Sequence, residues 1–169
     1  MANKSQSQND AWKASMAHAM QAIVTIHTAT PFSFGNDEKW CGQGTGFVVD
    51  VDIGIILTNR HMVSEAPMHA RAVFRSGARQ CPITPLYIDP VHDFAFCKFN
   101  VEFLQGLSSI QLNPEFATVG REIRVLGNDM GRVMSILPGV IGRVDCNPPW
   151  WDSGRYSRAE MFISRLTSF

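Results

Sequence analysis

An excess of charge of either sign is the first thing this sequence lacks: Lys plus Arg and Asp plus Glu number 15 each, and the formal net charge is zero. No long-range attraction draws it to phosphate backbones or anionic lipid, so neither nucleic acid nor a membrane surface is expected as a general partner. It also lacks an uninterrupted run of the roughly 18 apolar residues that a membrane span needs. The N-terminus MANKSQSQNDAWKASMAHAMQAIVTI has no apolar stretch ending in a small-residue cleavage site. Cys41, Cys81, Cys97 and Cys146 stand far apart, form no C-x-x-C pair and make no compact ligand set with the five histidines. The expectation is reduced, structural thiols, no metal and no cofactor, in a soluble protein inside the cell.

Two further absences bear on the fold. No repeat of solenoid period is present, and apolar runs do not alternate with helical patterns of ten or more residues, as a parallel sheet would need. What is there, 169 residues at 45% hydrophobic content, can build one globular domain or two small barrels sharing an interface. The first ten or so residues are polar and are expected to fray. Asp10 can cap a short helix whose apolar residues Trp12, Met16, Met20 and Ile23 recur at spacings of three and four.

From residue 22 onward, short β-rich runs are broken by Gly, Pro, Asn and Asp, which predicts strands at 22–28, 44–50, 55–59, 70–75, 82–87 and 94–99. The second and third of these form a hairpin closed by V-D-I-G. Six short strands suggest a small barrel over about 22–100. A second set is expected at 109–112, 122–126, 133–144 and 160–166, too few for a barrel of equal size. The fold class is therefore all-β with a short N-terminal helix.

His61 leaves the strand I-I-L-T-N in a tight turn, and Asp93 precedes the strand F-A-F-C-K-F, which would put both side chains at a barrel rim. A base that takes a hydroxyl proton needs its far ring nitrogen held by a buried carboxylate, and these two residues can supply that arrangement. Taken singly, a His at a strand end is more often a hydrogen-bonded structural residue, and an Asp before a strand a turn former.

Four words read in order change that balance: G-T-G-F-V-V-D (44–50), L-T-N-R-H-M-V (57–63), D-P-V-H-D-F-A (89–95) and V-G-R-E-I-R-V-L-G-N-D (119–129). Together they resemble the HtrA/Deg family of trypsin-fold serine proteases, and T-N-R-H and D-P-V-H-D-F resemble its eukaryotic nuclear, pro-apoptotic branch. The resemblance runs from about Trp12 to Trp151. It implies a trypsin-like double β-barrel, with the first barrel complete and the second truncated. It also implies His61 as the triad base and Asp93 as its orienting acid, in the order His, Asp, Ser.

The family's Gly-rich turn of the form G-x-S-G, which carries the nucleophile and the oxyanion amides, has no counterpart in this sequence. Ser153 lies in W-D-S-G-R, without the preceding Gly and one strand too early; Ser164 and Ser168 also lack glycines that would open backbone N–H groups. Cys146 is followed by two prolines, which remove donors where an oxyanion hole would need them. Loss of a nucleophile removes about six orders of magnitude from turnover, so the chain is expected to be inactive alone.

The organisation that follows is a flexible N-terminus at 1–10, a partial protease domain at 11–152 and a divergent tail at 153–169, whose wording suggests a truncated or altered chain. By resemblance, the partners are protein or peptide substrates, if a Ser-bearing segment completes the site, and HtrA-like oligomers. The compartment is nuclear or cytoplasmic, nuclear by resemblance only. A competing expectation is a non-catalytic pseudoprotease or interaction module that pairs with a full-length homologue.

Overall fold

A computed structural model of the chain describes residues 2–33, 39–63, 67–74, 80–90, 92–103, 106–129 and 133–144. The N-terminal helix, α1 (Ala2–Ala22), is longer than expected. Asp10 lies inside it rather than capping it, with Oδ1 3.6 Å from Lys13 Nζ. The predicted stripe is present: Trp12, Met16 and Met20 are half-buried beside the fully buried Ala19. Ile23 has passed into the first strand.

Six strands follow: β1 (Ile23–Thr30), β2 (Trp40–Asp50), β3 (Ile55–Thr58), β4 (His69–Phe74), β5 (Gln80–Ile88) and β6 (Ala95–Phe99). They close into an antiparallel barrel in the order β1-β2-β3-β6-β5-β4. Period-two alternation sends Val24, Ile26, Thr28 and Thr30 of β1 inward and leaves His27 and Ala29 facing out. Ile26, Val48, Ile56, Cys97 and Phe99 fill the interior, where the Phe74 and Phe99 rings meet at 5.4 Å between centroids. Each large side chain so buried contributes about 1.5–3 kcal/mol, and full closure leaves the barrel no edge strand.

The β2–β3 hairpin turns where expected. Asp50 Oδ1 accepts from the backbone N–H of Asp52 (3.0 Å) and Ile53 (3.1 Å), and Gly54 has φ +72°, a conformation that costs glycine least.

A second sheet consists, among the described residues, of β7 (Glu122–Asp129) and β8 (Val133–Val140), antiparallel in a continuous register from Glu122↔Val140 to Asp129↔Val133. It is closed at its base by Ile141 N–H to Arg121 O (2.9 Å) and Gly120 N–H to Ile141 O (2.7 Å). Ile136, Leu137 and Val140 of β8 are exposed.

The strand expected at 109–112 is instead irregular: Ile110 N–H donates to Val48 O at 2.8 Å, and the flanking residues pair with no strand. The strand expected at 133–144 ends at Val140. The strand expected at 160–166 lies outside the described residues.

Candidate active site

Strand register decides what meets at the barrel rim. Thr58, the last residue of β3, pairs with Ala95, the first of β6. Because the strands are antiparallel, the residues just after Thr58 and just before Ala95 emerge at the same end. His61 is three residues beyond the one and Asp93 two before the other.

Local chemistry then fixes each side chain. The Thr58 hydroxyl donates to Thr45 O (3.0 Å), anchoring the end of β3 to β2. Asn59 stays extended at φ −74°, ψ 146°, and Arg60–Met62 form a single 3₁₀ turn closed by Met62 N–H to Asn59 O (3.1 Å). Met62 is buried against Gly44, where an added Cβ would lie 2.5 Å from its Sδ, so any larger residue at 44 must displace the Met62 side chain.

His61 and Asp93, both proposed from the sequence, are brought into contact. His61 Nδ1 is 2.8 Å from Asp93 Oδ2, and His61 backbone N–H donates to Asp93 Oδ1 at 2.9 Å. The Asp93 side chain is 2% exposed and that of His61 44%. A carboxylate can only accept, so it selects the imidazole tautomer with its proton on Nδ1 and leaves the Nε2 lone pair as a proton acceptor.

Two groups that the sequence reading did not single out complete the surroundings. Asn59 Nδ2 donates to Asp93 Oδ2 (3.0 Å), giving that carboxylate a third donor. Arg60 Nη1 donates to Pro90 O at 2.9 Å, tying the His61 turn to the segment that carries Asp93. The only sequence signals for them were their places inside T-N-R-H and D-P-V-H-D.

A second imidazole–carboxylate contact joins His92, immediately before Asp93, to Asp89, four residues before it. His92 Nδ1 is 3.1 Å from Asp89 Oδ1, and the Tyr87 hydroxyl donates to Asp89 Oδ2 at 2.9 Å. The Tyr87 pKa is pushed up, first by that hydrogen bond, then by burial and by the Asp89 charge.

Ser153, Ser164, Ser168 and Cys146 lie outside the described residues. Elsewhere, the Ser108 and Ser135 hydroxyls donate to the backbone carbonyls of His18 and Gly127. Cys41, Cys81 and Cys97 are free thiols, and burial pushes Cys97 up to about 12. Among the described residues, no three His, Cys, Asp or Glu side chains are grouped to hold a metal, and no helix is long and apolar enough to cross a membrane. A groove of about 830 Å³ on the outer wall of β1, β2 and β4, lined by His27, Cys41, His69 and Arg71, contains neither His61 nor Asp93.

A closed six-stranded antiparallel barrel followed by a second β-sheet defines the class: a trypsin-fold peptidase domain. The chain belongs to the trypsin-like peptidase domain family, whose model matches residues 44–168. It is 44% identical over 140 residues to the pro-apoptotic serine protease NMA111 of Vanderwaltozyma polyspora, across 82% of this chain and 14% of that protein. It is 42% identical over 152 residues to the pro-apoptotic serine protease nma111 of Aspergillus clavatus, across 88% of this chain and 15% of that protein. The chain thus spans about a seventh of the length of the curated relatives it matches. Its fold is similar to the solved HtrA-type protease AlgW with tripeptide, at TM-score 0.64 and 22% identity over 79% of this chain and 40% of the other.

Proposed function

We propose that this chain carries the general base, His61, and its orienting carboxylate, Asp93, of an HtrA-like serine endopeptidase, and that residues 1–169 by themselves do not hydrolyse peptide bonds. The observation that supports this most is the buried Asp93 carboxylate engaging both the ring and the backbone N–H of His61. In the proposed reaction, His61 Nε2 removes the proton from a serine hydroxyl as it attacks the scissile carbonyl. Asp93 holds the ring in register and stabilises the imidazolium without taking the proton, and His61 then passes the proton to the leaving amine. Substrates are proteins or peptides, and no cofactor enters any step.

The inactivity rests on the sequence, which holds no serine within a Gly-rich turn able to aim backbone amides at an oxyanion. A fluorophosphonate probe tests it, since such probes react with activated serines. The chain is expected to remain unlabelled. Labelling of the wild type that disappears in Ser153→Ala would overturn this and make Ser153 the nucleophile.

A second reading is favoured by the exposed apolar side chains Ile136, Leu137 and Val140 on β8. It makes the chain a non-catalytic module that pairs with a full-length homologue through that sheet. Co-elution with a full-length relative in size-exclusion chromatography would support it, and two independent peaks would count against it. Among the described residues, Cys41, Cys81 and Cys97 are free thiols, which supports an intracellular setting, nuclear or cytoplasmic.

A further inference from the structure

Asp89 lies outside the His61–Asp93 contact, yet it is 8% exposed and accepts from two separate elements. The Tyr87 hydroxyl, on β5, reaches Oδ2 at 2.9 Å. Both the backbone N–H and the ring Nδ1 of His92 reach Oδ1, the latter at 3.1 Å. Asp89 N–H in turn donates to Phe94 O (3.0 Å), and Phe94 N–H to His92 O (2.8 Å).

Asp89 and Phe94 therefore pin the two ends of the segment that carries Asp93, and the Asp89 carboxylate draws its far end inward through His92. Stacking of the His92 and Phe94 rings at 6.2 Å adds a further contact on that side. From the other flank, Arg60 grips Pro90 O and Asn59 grips the Asp93 side chain and carbonyl.

His92 immediately precedes Asp93 in the chain. A change in the backbone direction at His92 would rotate the Asp93 carboxylate, and the 2.8 Å contact to His61 Nδ1 has little tolerance for rotation.

We propose that Asp89 is a positioning residue for the His61–Asp93 pair, acting by anchoring the segment that carries Asp93 through His92 and Tyr87. The proposal rests on reading that pair as base and orienting carboxylate. Asp89 touches neither substrate nor the reacting atoms. It sets the direction in which Asp93 faces and so, at one remove, the tautomer of His61.

That distinction can be measured. Imidazole ¹⁵N shifts of the labelled chain at neutral pH report the proton position on each ring. In the wild type, His61 is expected wholly as the Nδ1–H form. In Asp89→Ala that population is expected to fall to about half, the remainder being the Nε2–H form that free imidazole prefers. His92→Ala should give a smaller fall, because its backbone N–H still reaches Asp89.

A merely structural role for Asp89 would lower the melting temperature and leave the tautomer alone. Amide shifts of Val24, Ile26 and Ile56 report whether the barrel is intact. Should Asp89→Ala not fold, Asp89→Asn keeps the volume and one acceptor and is read in the same way. A folded variant with His61 still wholly Nδ1–H overturns the proposal. A wild type in which His61 is not Nδ1–H overturns instead the reading of the pair on which the proposal rests.

Discussion

The Asn59 side-chain amide donates to the same Asp93 oxygen, at 3.0 Å, that the His61 ring reaches at 2.8 Å. Three donors from one turn, the Asn59 amide, the His61 backbone and the His61 ring, thus converge on a carboxylate whose side chain is 2% exposed. Such a group is stable while its partners stay and costly once they leave. Asn59→Ala removes one donor and is expected to cost about 1 kcal/mol. Asp93→Ala strands all three and is expected to cost roughly 2–4 kcal/mol. Urea denaturation of both variants checks the order, and a smaller loss for Asp93→Ala than for Asn59→Ala would contradict it.

Gly44 and Met62 form the second support of the His61 turn. A methyl group at Gly44 would meet Met62 Sδ at 2.5 Å, so Gly44→Ala must push the Met62 side chain aside. The expected cost is about 1–3 kcal/mol, as for other overpacked sites. Met62→Ala on its own also destabilises, by leaving a void. A double-mutant cycle should nevertheless show strong coupling, with the double variant more stable than the sum of the single losses allows. Simple additivity would mean that the two segments do not bear on each other.

Cys97 provides a pH-dependent prediction. Burial pushes its thiol up to about 12, whereas an unfolded cysteine ionises near 8.5. Below the unfolded value both states are protonated, and the contribution to stability is complete. As pH rises towards the folded value the unfolded chain ionises first, binds fewer protons than the folded one, and stability falls. The urea midpoint is expected to drop as pH rises from about 8 towards about 12. Cys97→Ala, less stable throughout because it opens a cavity, should show a shallower drop. A thiol reagent at neutral pH should modify Cys41 in the native chain and reach Cys81 and Cys97 only on unfolding, because Cys41 is exposed and the other two are buried.

The exposed apolar residues of β8 lead to an expectation about association. Leu137 and Val140 are 59% and 60% exposed, on a two-stranded sheet. Leu137 and Val140 point to opposite faces of that sheet. Leu137→Glu places a charge on the face that carries Leu137 and is expected to reduce concentration-dependent association in light scattering with little effect on the melting temperature. Unchanged association would place the sticky surface elsewhere.

The first barrel was legible in the sequence because its strands are short β-branched and aromatic runs bounded by turn formers, so errors in the strand ends were confined to one or two residues, except that β2 begins at Trp40, four residues earlier than expected. The turn at 51–54 could be read directly from its Asp and Gly residues. The run at 109–112 misled for a physical reason: apolar alternation says that a segment can pair, and only tertiary structure decides whether a partner strand lies beside it. The helix was under-read at its start because the polar residues 2–9 carry no apolar stripe. That His61 and Asp93 would come together at the barrel rim was legible from the words around them. Asn59 and Asp89 were not, since their partners depend on the pairing of Thr58 with Ala95 across 37 positions of sequence.

The most direct test of the central claim transplants residues 1–144 of this chain in place of the matching segment of a full-length relative that itself labels with a fluorophosphonate probe, so that His61 and Asp93 must serve the relative's own serine. The account predicts that the folded chimera labels, that His61→Ala abolishes labelling, and that Asp93→Asn lowers the labelling rate by about 10⁴-fold. A folded chimera that labels equally well with and without His61 would contradict it.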